Sequence, residues 1–237
     1  ALSAACQECQ EIVPLFVFDE PLLRSHVFGS ACVGFMLGCL EELRRSLALH
    51  GVSLAWRTGD PVESVIQAAS DFKVDAVYWN RDYEPAALER DRTVQQRLAQ
   101  QGRTVRTFKD HVVFEAEEVR GQSGDPFQRY SAYRDRWWAK WRAAAPPLLG
   151  IPSFPPAGKA SASDSREWPS VADLGYESVP MWIEPGEQAV HARLQWFLGG
   201  PVHQYVTGRN LPASDGTSKL SPHLRFGTIS ARMLVHA

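Results

Sequence analysis

Between Asp215 and Ser230 the chain gathers groups able to grip an anion. The run is Gly216-Thr217-Ser218-Lys219-Leu220-Ser221-Pro222-His223-Leu224-Arg225-Phe226-Gly227-Thr228-Ile229-Ser230. It opens with a turn at Asp215-Gly216 and concentrates hydroxyls and backbone N–H groups ahead of a helix, with Ser221 expected as N-cap and Pro222 at N1. Amides aimed from a helix start, hydroxyl donors and a lysine together make a phosphate cradle. A capped helix with nothing bound carries the same local signature, so the residues by themselves leave both readings open.

Three other polar groups follow apolar runs: Asp19-Glu20, Asn80-Arg81-Asp82 and Lys109-Asp110-His111. In an open parallel sheet, ligands sit beyond the carboxyl ends of the strands, where these groups would lie. Polar residues also end strands that bind nothing. The four cysteines, Cys6, Cys9, Cys32 and Cys39, include one C-x-x-C pair. No second pair follows and no two of the seven histidines have the usual zinc spacing, so a reduced, structural role and no metal are expected. Trp137, Trp138 and Trp141 could stack bases or pass electrons, but packing is the simpler expectation.

The elements that must position these groups alternate. Ile12 to Phe18 reads as a buried strand, and Phe28 to His50 as a helix with Phe28, Cys32, Phe35, Met36, Leu40, Leu43 and Leu47 on one face. Gly51 ends it, and Val52 to Trp56 is a short strand. Asp60-Pro61 supplies an N-cap and a first-turn proline for the next helix. Ala76 to Trp79 is strand, Glu84 to Gln101 helix stopped by Gly102, and Thr104 to Phe108 strand. Strands alternating with helices imply an α/β fold, a Rossmann-like parallel sheet covered on both faces. Residues 145 to 185 hold half of the 16 prolines and a Gly-Lys-Ala-Ser-Ala-Ser-Asp-Ser stretch, which reads as a linker. A helical region opens at Pro185-Gly186-Glu187, with Val190, Leu194, Phe197 and Leu198 as its stripe.

Composition narrows the classes. The 237 residues are 44% hydrophobic and 22% charged, enough to bury a real core. The net charge of −2 rules out a global positive field, so contact with nucleic acid has to be local. No apolar run approaches the roughly 20 residues of a bilayer span, and no secretion signal is visible. A cytoplasmic monomer without membrane contact is expected. Neither G-x-G-x-x-G nor a Walker loop is present, which argues against an ordinary NAD or ATP binder.

Three segments then bear a resemblance. Gly216 to Ser230 looks like the start of the FAD-binding region of the photolyase and cryptochrome family. Tyr78-Trp79-Asn80-Arg81-Asp82-Tyr83-Glu84-Pro85, with Glu89-Arg90-Asp91, resembles the family's motif after the fourth strand of its N-terminal domain. Asp125-Pro126-Phe127-Gln128-Arg129-Tyr130-Ser131-Ala132-Tyr133, ahead of Trp137-Trp138, is similar to the stretch that closes that domain. All three stand in the family's order and spacing, and the resemblance covers essentially the whole chain.

By that resemblance, residues 1–128 form the α/β antenna domain, 129–184 the linker and 185–237 the opening of an all-helical FAD-binding domain. Tyr205 packs on the FAD, and Thr217, Ser218, Lys219, Leu220 and Ser221 hold its diphosphate and ribityl chain. Arg209 faces the DNA phosphate backbone, although a solvated arginine before the Leu211-Pro212 turn would look the same. The family's first strand is expected before Ala1, at the centre of the sheet between the Ile12–Phe18 and Ala76–Tyr78 strands. Without it, either a gap of roughly 9.5 Å, two strand spacings, or two unpaired inner edges are expected. Most of the FAD domain, with its tryptophan chain and most of the lesion pocket, is expected after Ala237.

Cys32 stands where relatives carry an arginine near the antenna pocket, and Ala86-Ala87 replaces the Asn-Glu pair of folate-binding members. A deazaflavin antenna is therefore expected rather than folate, with Asp82, Glu84 and Asp19 around it. The resemblance implies a deoxyribodipyrimidine photo-lyase, a flavoprotein repairing damaged DNA in blue light, of which this chain is a fragment inactive alone. No catalytic acid or base is expected within it. A cryptochrome photoreceptor without repair activity is the alternative, and an α/β nucleotide-binding module unrelated to light is a third.

Overall fold

The computed structural model describes residues 1–25, 27–121, 124–156 and 167–237. The Gly-Lys-Ala-Ser-Ala-Ser-Asp-Ser stretch therefore lies outside the described residues. The elements are α1 (Leu2–Glu8), β1 (Leu15–Asp19), α2 (Glu20–Arg24), α3 (Ser30–Leu49), β2 (Ala55–Gly59), α4 (Pro61–Asp71), β3 (Ala76–Asn80), α5 (Pro85–Gln100) and β4 (Thr104–Phe108). After them come α6 (Tyr130–Ala143), α7 (Glu187–Gly199), α8 (Tyr205–Gly208), α9 (Ser221–Phe226) and α10 (Ala231–His236).

Local chemistry explains several boundaries. The Asp60 carboxylate accepts from the Glu63 N–H at 3.0 Å, and Pro61 opens α4, as the sequence implied. Gly51 and Gly102, at φ of 72° and 74°, stop α3 and α5 in the left-handed region that a side chain disfavours. Strand β2 lies three residues later than expected. Val52 and Leu54 are buried before it begins, and the strand runs on through Arg57 and Thr58.

The strands form two parallel pairs. Leu15 to Asp19 run beside Ala55 to Gly59, and Ala76 to Asn80 beside Thr104 to Phe108. No ladder joins β1 to β3 among the described residues. Between them lies a cleft of about 1670 Å³ walled by both strands and by residues of α1, α3 and α4. That is the place the resemblance gives to the family's first strand.

One core packs α3 on β1 and β2 through Phe18, Val33, Leu37, Leu40 and Leu47. A second packs α4 and α5 on β3 and β4 through Ile66, Val94 and Leu98. Helix α3 is buried on more than the single face expected, because Cys39, outside that face, joins Phe35 in packing on Ile183 and Phe226. Residues 167–186 contain no helix or strand, yet they are a strap rather than a free tether. Trp168, Val171 and Leu174 pack against the first core, and the Tyr176 hydroxyl donates to the Leu23 carbonyl at 2.6 Å.

Helix α6 occupies 14 residues that the sequence assigned to the linker. Trp137 and Trp141 stack 5.8 Å apart on it, with Trp137 5.3 Å from Phe114 and Trp141 4.7 Å from His236. These rings fasten α6 to the 113–119 turn and to α10, the packing role expected of them.

Candidate functional site

The anion-gripping segment is built on α7. Val190 and Leu194 are buried against Leu220 and Ile229, which bracket the loop and α9. Six residues after its start, α7 presents Arg193, which the sequence reading passed over. Its Nε donates to the Ser218 carbonyl at 3.0 Å and its Nη2 to the Thr217 carbonyl at 2.7 Å. Both terminal nitrogens also reach the Asp215 carboxylate at 2.7 Å. Lys219 Nζ reaches the same carboxylate at 2.7 Å. The Arg193 and Lys219 cations hold the Asp215 carboxyl well below the usual range, so it stays ionised. Two cations on one anion leave the loop with one surplus positive charge.

Lys219 has φ of 55°, uncommon for a residue with a side chain. Strain of this kind persists where surrounding contacts over-determine the backbone. Gly216 supplies another constraint. A Cβ there would lie 2.6 Å from the Gly208 carbonyl carbon and oxygen, so two chain segments touch backbone to backbone. That contact seats α8, and with it Tyr205 and Arg209, beside the loop. The Tyr205 ring is 40% exposed and edge-on to Phe197 at 6.0 Å. Arg209 is exposed, its guanidinium 5.7 Å from the Tyr205 ring centre.

Ser221 departs from expectation. It is the first helical residue of α9, Leu220 occupies the N-cap, and no side chain caps the helix. The Ser221 hydroxyl is thereby left over. Among the described residues the hydroxyls of Thr217, Ser218 and Ser221 make no hydrogen bond to protein. Nor do the N–H groups of Gly216, Thr217, Ser218, Lys219 and Leu220 find an acceptor there. Carbonyls are engaged and donors are open, which is the arrangement an anionic diphosphate needs. The loop therefore fits the diphosphate of FAD, with Tyr205 as a surface for a ring.

The carboxylates expected around an antenna are brought to the carboxyl ends of the strands but are each engaged. Asp19 caps α2 by accepting from the Leu22 N–H at 2.9 Å. Asp82 accepts from the Tyr83 and Glu84 N–H groups; burial pushes its carboxyl up, and these amides with His111 and Arg90 outweigh that, so it titrates low. Glu84 pairs with Arg225 at 2.8 Å. Arg232 of α10 likewise pairs with Asp110 at 2.7 Å. The strand ends are thus where the helical segment docks on the α/β segment, a contact the sequence reading did not foresee. Ala87 is buried and only Ala86 is exposed.

A second docking point is Glu42 on α3, which accepts from the N–H groups of Glu187 and Gln188 and so caps α7 from another element. Burial and the neighbouring Glu42 charge raise the Glu187 carboxyl pKa. Nearby, Gly38 admits Pro185; a Cβ would come within 2.4 Å of its ring. A glycine inside a helix was the one sequence signal for this close approach.

All four cysteines are free thiols. Burial pushes Cys39 up to about 11 and raises Cys6 and Cys32 as well, so none of these three is a ready nucleophile. Among the described residues no helix is long and apolar enough to cross a membrane, and no cluster of three metal-ligating side chains occurs.

The DNA photolyase family profile matches residues 1–152. An uncharacterized 31.6 kDa protein of Synechococcus sp. (strain PCC 6716) is 34% identical over 232 residues, 98% of this chain and 81% of that protein. The deoxyribodipyrimidine photo-lyase of another Synechococcus strain is 32% identical, with 98% of this chain covering 49% of that enzyme. Among solved structures, a bacterial class III photolyase from Agrobacterium tumefaciens superposes with a TM-score of 0.79 at 27% identity. That match covers all of this chain and 49% of the other. The chain spans about half the length of the photolyases it matches.

Proposed function

The chain belongs to the DNA photolyase family, and on that premise we propose that it is the opening half of a light-driven enzyme splitting cyclobutane pyrimidine dimers in DNA. Residues 1–128 serve as the antenna domain, 129–184 as the strap between domains, and 185–237 as the start of the FAD-binding domain. The observation that carries this reading is the 215–221 loop, with its carbonyls tied to α7 and its hydroxyls and amides open.

Reduced FAD, when bound and excited, supplies the electron that splits the dimer. This chain's residues bind and orient. Thr217, Ser218, Lys219, Leu220 and Ser221 hold the diphosphate and ribityl chain, and Tyr205 packs on the ring system. Arg209, exposed on the same side chain cluster as Tyr205, meets the phosphate backbone of damaged DNA, a contact that positions rather than specifies. This role asks no residue of the chain to act as a general acid or base. The protein works as a cytoplasmic monomer.

The Ser218→Ala, Ser221→Ala double variant of the whole protein is the direct test. Hydrogen bonds to a charged group are worth about 1.5–3 kcal/mol each, so flavin retention after purification should fall at least tenfold. Unchanged flavin content would remove the loop from the cofactor site.

The antenna is a deazaflavin rather than folate held by an Asn-Glu pair, because Ala86 offers no polar group and Ala87 points into the core. Reconstitution with each chromophore in turn should give energy transfer to FAD only from the deazaflavin. Tight uptake of methenyltetrahydrofolate alone would reverse the assignment.

A further inference from the structure

We propose that Arg193 is the positioning residue of the flavin loop, a role that rests on the loop holding the FAD diphosphate. A loop that receives an anion has to present donors and turn its acceptors away. Arg193 does the second task. One guanidinium covers the carbonyl oxygens of Thr217 and Ser218 and occupies both oxygens of Asp215. Those three groups are loop acceptors that would repel a phosphate.

The geometry needs a planar fork. Nε and Nη2 reach two successive carbonyls while Nη1 and Nη2 straddle the carboxylate, an arrangement that an ammonium cannot reproduce. Trp196, three residues along the same helix face, lies 3.8 Å from the guanidinium and fixes its plane. Burial of α7 through Val190 and Leu194 sets where that plane stands. With its carbonyls held to α7, the backbone from 216 to 220 keeps its amides free of protein partners and accepts the left-handed turn at Lys219. Arg193 thus acts through the loop, and touches the cofactor only by its charge.

The test uses the whole protein with Arg193→Ala and Arg193→Lys. Three quantities are measured: the FAD dissociation constant, amide hydrogen exchange of residues 215–221 in flavin-free protein, and recovery of binding by Arg193→Ala in millimolar guanidinium. Both variants should bind FAD at least tenfold more weakly. Loop exchange should rise at least tenfold while exchange in β3, β4 and α5 stays unchanged. Free guanidinium should restore much of the binding to Arg193→Ala, and Lys should not substitute.

Wild-type affinity and unchanged loop exchange in Arg193→Ala would overturn the proposal while leaving the flavin assignment intact. A general rise in exchange through α7 without guanidinium rescue would also overturn it, since Arg193 would then only support the helix. If the wild type binds no FAD but loop exchange still rises in the variant, the flavin assignment fails and the positioning role stands.

Discussion

Residues 1–237, expressed alone, are expected to give no sharp thermal transition and to associate on a sizing column. The cause is the cleft between β1 and β3. In a parallel strand every second residue turns its N–H and C=O to a given edge, so both strands present a row of such groups to the cleft. Left unpaired and buried, each costs about 1–3 kcal/mol, and several would consume the ~5–15 kcal/mol of a typical domain. Water entering the cleft would satisfy them, but it would also wet Leu15, Val33, Leu47 and Val77 on the walls. Collapse of the cleft would pull α3 and α4 from their packing against the two pairs. Apolar edges of this kind also recruit other chains. Calorimetry and sizing of the isolated chain decide the matter. A monomer unfolding in one sharp transition would show that the two strand pairs close on each other.

Gly216→Ala is expected to lower flavin retention by about ten- to a hundredfold in the whole protein. The added methyl would lie 2.6–2.7 Å from the Cα, carbonyl carbon and oxygen of Gly208. These are backbone atoms and cannot rotate aside as a side chain would, so the loop and α8 must separate. Forced overpacking costs about 1–3 kcal/mol, the equivalent of that loss in affinity. Gly208→Ala should be milder, because its methyl meets the Gly216 Cα at 3.2 Å. Gly199→Ala, with nothing within 4 Å, should retain flavin fully. Equilibrium titration of the three variants gives the ranking. Equal affinity of Gly216→Ala and wild type would separate Tyr205 and the loop as independent parts.

Much of the α/β segment was legible because its signals are local. Asp60-Pro61 before α4, Gly102 after α5, and the alternation around Thr104 to Phe108 needed no tertiary information. What escaped depended on contacts distant in sequence. The spacing of Trp137 and Trp141 puts them on one helix face, but the extent of α6 inside the expected linker and the partners of that face, Phe114 and His236, have no local signal. Burial of Cys39 outside the expected face of α3, and the partners that Phe35 meets, require Ile183 and Phe226, about 150 and 190 residues downstream. At the site, the hydroxyls and Lys219 stood out as a cluster. Arg193 did not, since an arginine on a helix has nothing in its neighbours to mark it, and its three acceptors lie over 20 residues away. Ser221 was misplaced by one position because Leu220 adopts the capping place without a polar side chain.

Dimer cleavage by the whole flavin-loaded protein tests light-driven repair most directly. DNA carrying cyclobutane pyrimidine dimers is incubated with reduced protein in blue light and in darkness, and intact dimers are counted. Dimers should disappear only in the light, with an action spectrum that follows the bound chromophores, and Arg209→Ala should weaken DNA binding without bleaching the flavin. Protein that holds FAD, binds dimer-containing DNA no better than undamaged DNA and leaves every dimer intact under illumination would contradict repair and favour a photoreceptor.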